Sequence, residues 1–107
     1  MIRTKFKPVL VMSALMALSP AAFALDGAEL YKTKTCFTCH GKDGNTTIMP
    51  SYPKVAGQTE AYALQQMKDI KSGARANGMS AAMKGIMHLV SDEEMEALAK
   101  YLSTMQP

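Results

Sequence analysis

Two cysteines and a histidine form the densest group of chemically versatile side chains in the sequence. They lie in Cys36-Phe37-Thr38-Cys39-His40, the C-x-x-C-H pattern of covalent haem attachment. Two thiols three residues apart can each form a thioether with a vinyl group of haem, and the adjacent imidazole can bind the iron as an axial ligand. The pattern therefore predicts one covalently bound haem c, with His40 as a ligand of its iron.

Two other uses of a cysteine pair are weaker alternatives. A structural zinc site normally takes four Cys or His ligands, whereas the sequence holds two Cys and two His, with His88 far from His40. A thioredoxin-like redox pair is expected near a βαβ pattern, and no alternation typical of strands is present. Haem is therefore the favoured interpretation, and zinc and a redox dithiol remain open.

The first 24 residues have the three parts of a secretory signal peptide. A basic start at residues 3–7 precedes an apolar stretch at residues 8–18 and the small-residue cleavage site Ala22-Phe23-Ala24. The apolar stretch is shorter than the roughly 20 residues needed to cross a bilayer. We therefore predict a signal peptide at 1–24, a single domain at 25–107, export to the periplasm and no membrane span after cleavage.

Removal of the signal peptide would leave a domain with balanced charge. All nine acidic residues lie after residue 24, whereas three of the twelve basic residues lie before it. A domain that binds nucleic acid needs a basic surface, so no nucleic-acid partner is expected. The domain is also small for a self-sufficient hydrophobic core, so a bound haem would supply part of that core.

Apolar periodicity and capping residues predict an all-α domain of three to four helices around one haem. Two capping boxes, Asp26 with Glu29 and Ser91 with Glu94, mark the starts of the first and last helices. Apolar residues recur at helical spacing in the second and last helices. The predicted helices run from Gly27 to about Thr35, from a cap at Thr59 to Ser72 with Gly73 as its stop, and from Asp92 to about Thr104.

Two other stretches are predicted to be irregular. Residues 41–58 contain three Gly and two Pro among small polar residues, which predicts a long loop. A loop of that length in a small domain usually wraps something or is disordered. Residues 74–90 contain Gly78 and Gly85, so they are predicted to form a loop with at most a turn or two of helix.

These features resemble those of bacterial class I cytochromes c, especially the small periplasmic monohaem proteins and the single domains of tandem dihaem proteins. The resemblance covers residues 26–105 and implies a class I cytochrome c fold, in which Gly27 meets Tyr101 where the first and last helices cross. The matching segments are Gly27 with Tyr31, Cys36 to Gly41, Asp43-Gly44-Asn45, Tyr52 to Gln58, Gln66 to Lys71 with Gly73 and Arg75, a loop that carries methionines, and Leu98 to Leu102.

The resemblance also implies a methionine as the second axial ligand, before the last helix. Met79, Met83 and Met87 all lie in that region, four residues apart. Alignment on the loop and the last helix favours Met83, and Met79 is the next candidate. His88 is a further alternative, although a lone loop histidine is more often solvated than metal-bound.

Pro53 is implied as a supporting residue of the same site. A metal-bound histidine usually donates its free ring N–H to an oxygen that fixes its orientation, and the resemblance assigns that oxygen to the backbone carbonyl of Pro53. The alternative is a proline that only stiffens the loop. The predicted haem-binding residues are Cys36, Cys39, His40, Pro53 and Met83, and the predicted iron ligands are His40 and Met83.

An iron with both axial positions filled by protein has no open site and can only change its oxidation state. The resemblance therefore implies an electron carrier rather than an enzyme, which passes single electrons between respiratory or oxidoreductase partner proteins. Two alternatives stay open. The protein could be the dedicated haem subunit of a periplasmic oxidoreductase, or, with a poorer fit, an open-site haem protein that binds a ligand.

Overall fold

Residues 25–107, which the computed structural model describes, form five α-helices. No β-strand occurs in this part of the chain, and the predicted all-α class is confirmed. The predicted signal peptide, residues 1–24, lies outside the described residues. The helices are α1 Gly27–Thr33, α2 Cys36–His40, α3 Glu60–Ser72, α4 Ser80–Met87 and α5 Asp92–Thr104.

Residues 25–107 contain five helices rather than the predicted three to four. The sequence pattern does not predict α2 because its five residues are too few to show a helical period. It follows Thr35, whose backbone is left-handed with φ of 63°, an uncommon conformation for a β-branched residue. The eight residues of α4 form slightly more than two turns, even though its interior holds Gly85, a poor helix former.

The first and last helices begin at the residues that the capping pattern indicates. The Asp26 carboxylate accepts hydrogen bonds from the amides of Ala28 and Glu29, but within residues 25–107 the Glu29 carboxylate returns none. Only half of the first capping box is therefore formed. The second is complete, and the hydrogen bond from the Ser91 amide lowers the pKa of the Glu94 carboxyl.

The middle helix, α3, also runs over the predicted residues, but one of its ends differs in detail. Thr59 occupies the N-cap position without a side-chain hydrogen bond to the helix. Gly73 stops the helix in a left-handed conformation with φ of 89°, and its amide donates to the carbonyl of Ile70. That conformation carries no steric cost for glycine, so the predicted stop is confirmed.

The apolar faces of α3 and α5 form the centre of the core. Helix α5 packs against α1 and α3, and α4 packs against α3. None of these helices has the length and apolar composition that a membrane span requires. The buried apolar residues are Tyr31, Ala63, Met67, Ile70, Met87, Val90, Met95, Leu98, Ala99 and Leu102.

The predicted crossing of α1 and α5 is present at Gly27. A Cβ atom placed on Gly27 would lie 2.6 Å from Cβ of Tyr101 and would also meet the carbonyl oxygen of Ala97. The ring of Tyr101 packs edge-on against that of Tyr31, with centroids 5.7 Å apart. Gly27 therefore allows the two helix backbones to approach closely enough for this aromatic contact.

Residues 41–58 contain no helix or strand, as predicted, and hydrogen bonds hold both ends of this loop. The buried hydroxyl of Tyr31 donates to the Gly41 carbonyl over 2.5 Å, and burial raises the pKa of Tyr31 to about 12. The amide of Val55 returns to the Gly44 carbonyl, and the amide of Gly57 donates to Leu102 of α5. The loop is thus fixed against α1 and α5.

Asp43 organises the first turn of this loop. Its carboxylate accepts hydrogen bonds from the amides of Asn45 and Thr46 and from the Thr46 hydroxyl, at 2.8 to 2.9 Å. These bonds favour the charged form and lower the pKa of Asp43 from 3.8 to about 2. The ionised carboxylate therefore stabilises the folded state.

The crossing of α1 and α5 gives a first prediction. Gly27→Ala should lower the free energy of unfolding by about 1 to 3 kcal/mol, because the added methyl group overpacks the helix contact. Urea unfolding followed by circular dichroism measures the change. Gly85→Ala is the matched control, since a Cβ at Gly85 meets no atom within 4 Å, and it should leave stability unchanged or raise it. Equal destabilisation by both variants would contradict the crossing.

The charge of Asp43 predicts a pH dependence of stability. Because its pKa is lower in the folded protein than its ordinary value of 3.8, its contribution is complete well above that value and is lost as the pH falls toward 2. Asp43→Asn keeps an acceptor oxygen but not the charge, so its unfolding free energy should fall less than that of the wild type below about pH 4. Glu96→Gln, at an exposed position on α5, is the control. Parallel pH profiles for the wild type and Asp43→Asn would refute the assignment.

Candidate functional site

Helix α2 places the two thiols and the imidazole of the C-x-x-C-H motif together. Residues three and four apart on a helix share one face, so Cys36 is a neighbour of both Cys39 and His40. The side chain of Cys36 is half-buried, that of Cys39 is exposed and that of His40 is buried. All three line one cavity, and no disulfide joins the two cysteines.

This cavity has a volume of about 370 Å³, within the range of small-molecule and cofactor sites. Its wall is mostly apolar and includes core residues of α3 and α5, such as Met67 and Leu98. The loop of residues 41–58 supplies another part of the wall, which includes Pro53 and Val55. A bound group would therefore touch the same residues that form the core of the domain.

The orientation of His40 is fixed by the loop. Its Nδ1 lies 2.9 Å from the carbonyl oxygen of Pro53. A carbonyl oxygen only accepts hydrogen bonds, so this contact requires the proton on Nδ1, and in the neutral imidazole Nε2 then holds a lone pair. Among residues 25–107, every buried nitrogen or oxygen atom of a side chain has a hydrogen-bond partner. Nε2 has no partner among these residues, so it is not fully buried. Nε2 is therefore accessible, and it is available as a metal ligand.

The two alternatives to haem fit this geometry less well. Burial raises the pKa of the Cys36 thiol to about 11, which disfavours the thiolate that disulfide exchange uses. Within residues 25–107, no three His, Cys, Asp or Glu side chains gather where they could hold a metal ion. A structural zinc site needs four ligands, and these residues do not assemble one.

The candidates for the second axial ligand differ in position. Met83 is half-buried, lines the cavity and packs against the core. Met79 also lines the cavity, but it lies at the N-cap of α4 and is 52% exposed. Met87 is 2% exposed and belongs to the core. His88 is exposed and does not line the cavity, so the structure separates it from the other candidates.

One part of the cavity wall carries the guanidinium group of Arg75, which a hydrogen bond holds in place. Arg75 and Gln66 both line the cavity, and Nη1 of Arg75 donates to Oε1 of Gln66 over 2.9 Å. The amide of Arg75 also donates to the carbonyl of Asp69. The sequence offers no signal for the contact between Gln66 and Arg75, because the two residues are not a helical spacing apart and α3 ends between them.

The cavity thus brings together all five residues predicted to bind haem. Tyr31 also lines it, although the sequence analysis gives this residue no role in the site. The spacing of Tyr31, four residues after the crossing glycine and so on the same face of α1, is the signal that could have placed it there. The arrangement offers two thiols, an imidazole oriented by the Pro53 carbonyl and a thioether around an apolar space, which is a donor set suited to a covalently attached haem.

Comparisons with known proteins agree with this donor set. Residues 24–106 match the family model described as cytochrome c. Cytochrome c4 from Azotobacter vinelandii is 38% identical over 82 residues, which are 71% of this chain and 39% of that protein. Cytochrome c-553 from Nitratidesulfovibrio vulgaris is 37% identical over 100 residues, which are 91% of this chain and 96% of that protein.

A solved structure supports the same relationship. Reduced recombinant cytochrome c4 from Pseudomonas stutzeri has a TM-score of 0.69 and 29% sequence identity, over 80% of this chain and 50% of the solved chain. This chain spans less than half the length of the cytochrome c4 relatives that it matches. The resemblance to a single domain of a tandem dihaem protein, and the class I fold that it implied, are both confirmed. The chain belongs to the cytochrome c family.

Proposed function

We propose that this protein is a one-electron carrier with one haem bound covalently through Cys36 and Cys39, and with His40 and Met83 as the axial ligands of its iron. The observation that carries this proposal is the apolar cavity that both cysteines, the accessible Nε2 of His40 and Met83 all line. The single C-x-x-C-H motif in the sequence accounts for a single haem.

The residues around the cavity have distinct tasks in this function. The bound haem supplies an iron that changes its oxidation state by one electron. Pro53 holds the imidazole of His40 in one tautomer and one orientation, which keeps the imidazole a strong ligand. The apolar wall excludes water, and a thioether from Met83 favours the reduced state. With both ligands in place no site is open to a substrate, so the protein carries electrons and is not an enzyme.

The cellular setting follows from the same features. We infer that residues 1–24 direct export to the periplasm, where c-type haem is attached, and that the exported domain exchanges electrons with redox partner proteins. The three-part signal pattern supports the inference. The balanced charge of residues 25–107 agrees with partners that are proteins rather than nucleic acids.

Covalent attachment can be tested by mass. Expression with the export signal, in a host that attaches c-type haem, should yield red protein whose mass exceeds that of residues 25–107 by one haem, even after denaturation. The double variant Cys36→Ala, Cys39→Ala should carry no covalent haem, because both thioethers are lost. His88→Ala, at an exposed histidine outside the cavity, is the control and should keep its haem. A colourless wild type of unmodified mass would refute the proposal.

The identity of the second ligand can be tested by spectroscopy. The oxidised wild type should show the weak long-wavelength absorption band of a methionine-iron bond. Met83→Ala should lose this band and have a lower reduction potential, because the thioether no longer favours the reduced iron. Its reduced form should also bind carbon monoxide at the open position.

Met79→Ala is the matched control for the ligand test, since Met79 lines the same cavity one helical turn away. This variant should keep the band and should resist carbon monoxide as the wild type does. The opposite pattern, with the band lost in Met79→Ala and kept in Met83→Ala, would assign the ligand to Met79. Rapid binding of carbon monoxide by the reduced wild type would instead favour the open-site alternative.

A further inference from the structure

The helix that carries Met83 has few attachments of its own. Among the helices of residues 25–107, α4 packs closely against α3 alone. Its first residue follows Met79 and Gly78, and no side chain caps its N-terminus. Its interior holds Gly85, which leaves the backbone without a side-chain contact at that point. The position of α4 must therefore depend strongly on how its C-terminal end is held.

Two lysines hold that end from two different directions. Lys71, in the last turn of α3, donates from Nζ to the carbonyl of Val90 over 2.5 Å. Lys34, the C-cap residue of α1, donates from Nζ to the carbonyl of Leu89 over 2.7 Å. We refer to Lys34, Lys71 and these two carbonyls as the two-lysine clamp. Nζ of Lys34 also lies 3.4 Å from the Glu94 carboxylate on α5.

These contacts are stronger than ordinary hydrogen bonds between neutral groups. Each donor is a charged ammonium group, and charge-assisted bonds contribute more than neutral ones. Both acceptors lie in the segment between α4 and α5, after the C-cap His88 and before the N-cap Ser91. The clamp therefore joins the segment that follows α4 to α1, which is distant in sequence, and to α3, which precedes α4 in the chain.

The clamp acts on a segment that is already anchored by packing. The side chain of Val90 is 1% exposed and that of Met87 is 2% exposed. Met87 lies one turn after Met83 on the same helix, so a shift of this end moves Met83 with it. The core fixes the side chains, and the two-lysine clamp fixes the carbonyls between α4 and α5.

We propose that Lys34 and Lys71 are positioning residues that hold α4 so that the Met83 thioether stays within reach of the haem iron. The proposal rests on the proposed function, because it assumes that Met83 is the axial ligand. In this role the two lysines act on the position of Met83 rather than on the binding of a partner protein. Neither ammonium group contacts the cavity itself.

The test compares ligand loss with global unfolding in the oxidised holoprotein. Lys71→Met removes the ammonium group and keeps a flexible apolar chain, and Lys34→Met, Lys71→Met removes both donors. Loss of the long-wavelength methionine-iron band on heating is measured beside the loss of helicity by circular dichroism. In Lys71→Met the band should disappear about 5 °C lower than in the wild type, and in the double variant lower still. In each variant, the temperature at which helicity is lost should shift less than the temperature at which the band is lost.

Two variants separate positioning from general stability. Lys68→Met alters an exposed lysine on the same helix and should leave the temperature of band loss unchanged. Lys71→Arg retains a cationic donor and should restore most of the wild-type temperature. Equal shifts of the band and the helicity in Lys71→Met, or an equal effect of Lys68→Met, would overturn the positioning role.

The same measurements separate this proposal from the proposed function. A wild-type band that Lys71→Met and the double variant leave unchanged would overturn the clamp alone, because Met83 would still bind the iron. A wild type without the band, or with a band that survives in Met83→Ala, would overturn the Met83 assignment and the clamp with it. The clamp is therefore supported only by two results together. The wild-type band must depend on Met83, and in the lysine variants the band must be lost at a lower temperature with a smaller change in the loss of helicity.

Discussion

The hydrogen bond between His40 and the Pro53 carbonyl joins helix α2, which carries both cysteines, to the loop of residues 41–58. It fixes the tautomer of the imidazole and directs its lone pair away from the loop. Pro53 can hold this position only because its loop is itself held, by Tyr31 at one end and by the Gly57 amide on Leu102 at the other. The crossing of α1 and α5 at Gly27 in turn places Tyr31. One histidine orientation therefore depends on contacts from most of the domain.

The methionine side of the cavity is built on a different principle. The loop of residues 41–58 is fixed at several points along its length, whereas α4 is a short helix that packs closely against one other helix of the described chain. A short helix gains little stability from its own hydrogen bonds, so packing and end contacts decide its position. Buried Met87 and Val90 and the two-lysine clamp supply those contacts. The imidazole and the thioether are thus held by different sets of contacts, which share α1 through Tyr31 and Lys34.

Much of this arrangement could be predicted from local sequence patterns. The capping box at Ser91 with Glu94 indicates the start of α5, and Gly73 indicates the end of α3, because both signals act over a few residues. Helix α2 was missed because five residues do not reveal a period. The contacts of Lys34 and Lys71 were also missed, since Lys34 lies 55 residues from its acceptor and a lysine on a helix most often faces solvent. Local chemistry specified the elements, and long-range hydrogen bonds that leave no local pattern completed the site.

Several charged side chains of residues 25–107 form hydrogen bonds within the domain. Residues 25–107 contain nine basic and nine acidic side chains, but Lys34, Lys71 and Arg75 direct their charge at carbonyl or amide oxygens of the chain itself. The carboxylates of Asp43 and Glu94 likewise accept hydrogen bonds from backbone amides. These hydrogen bonds leave each group charged, and the formal charges of residues 25–107 sum to zero. Each of these five charged groups therefore also acts within the fold, where it fixes a stretch of backbone or a neighbouring side chain.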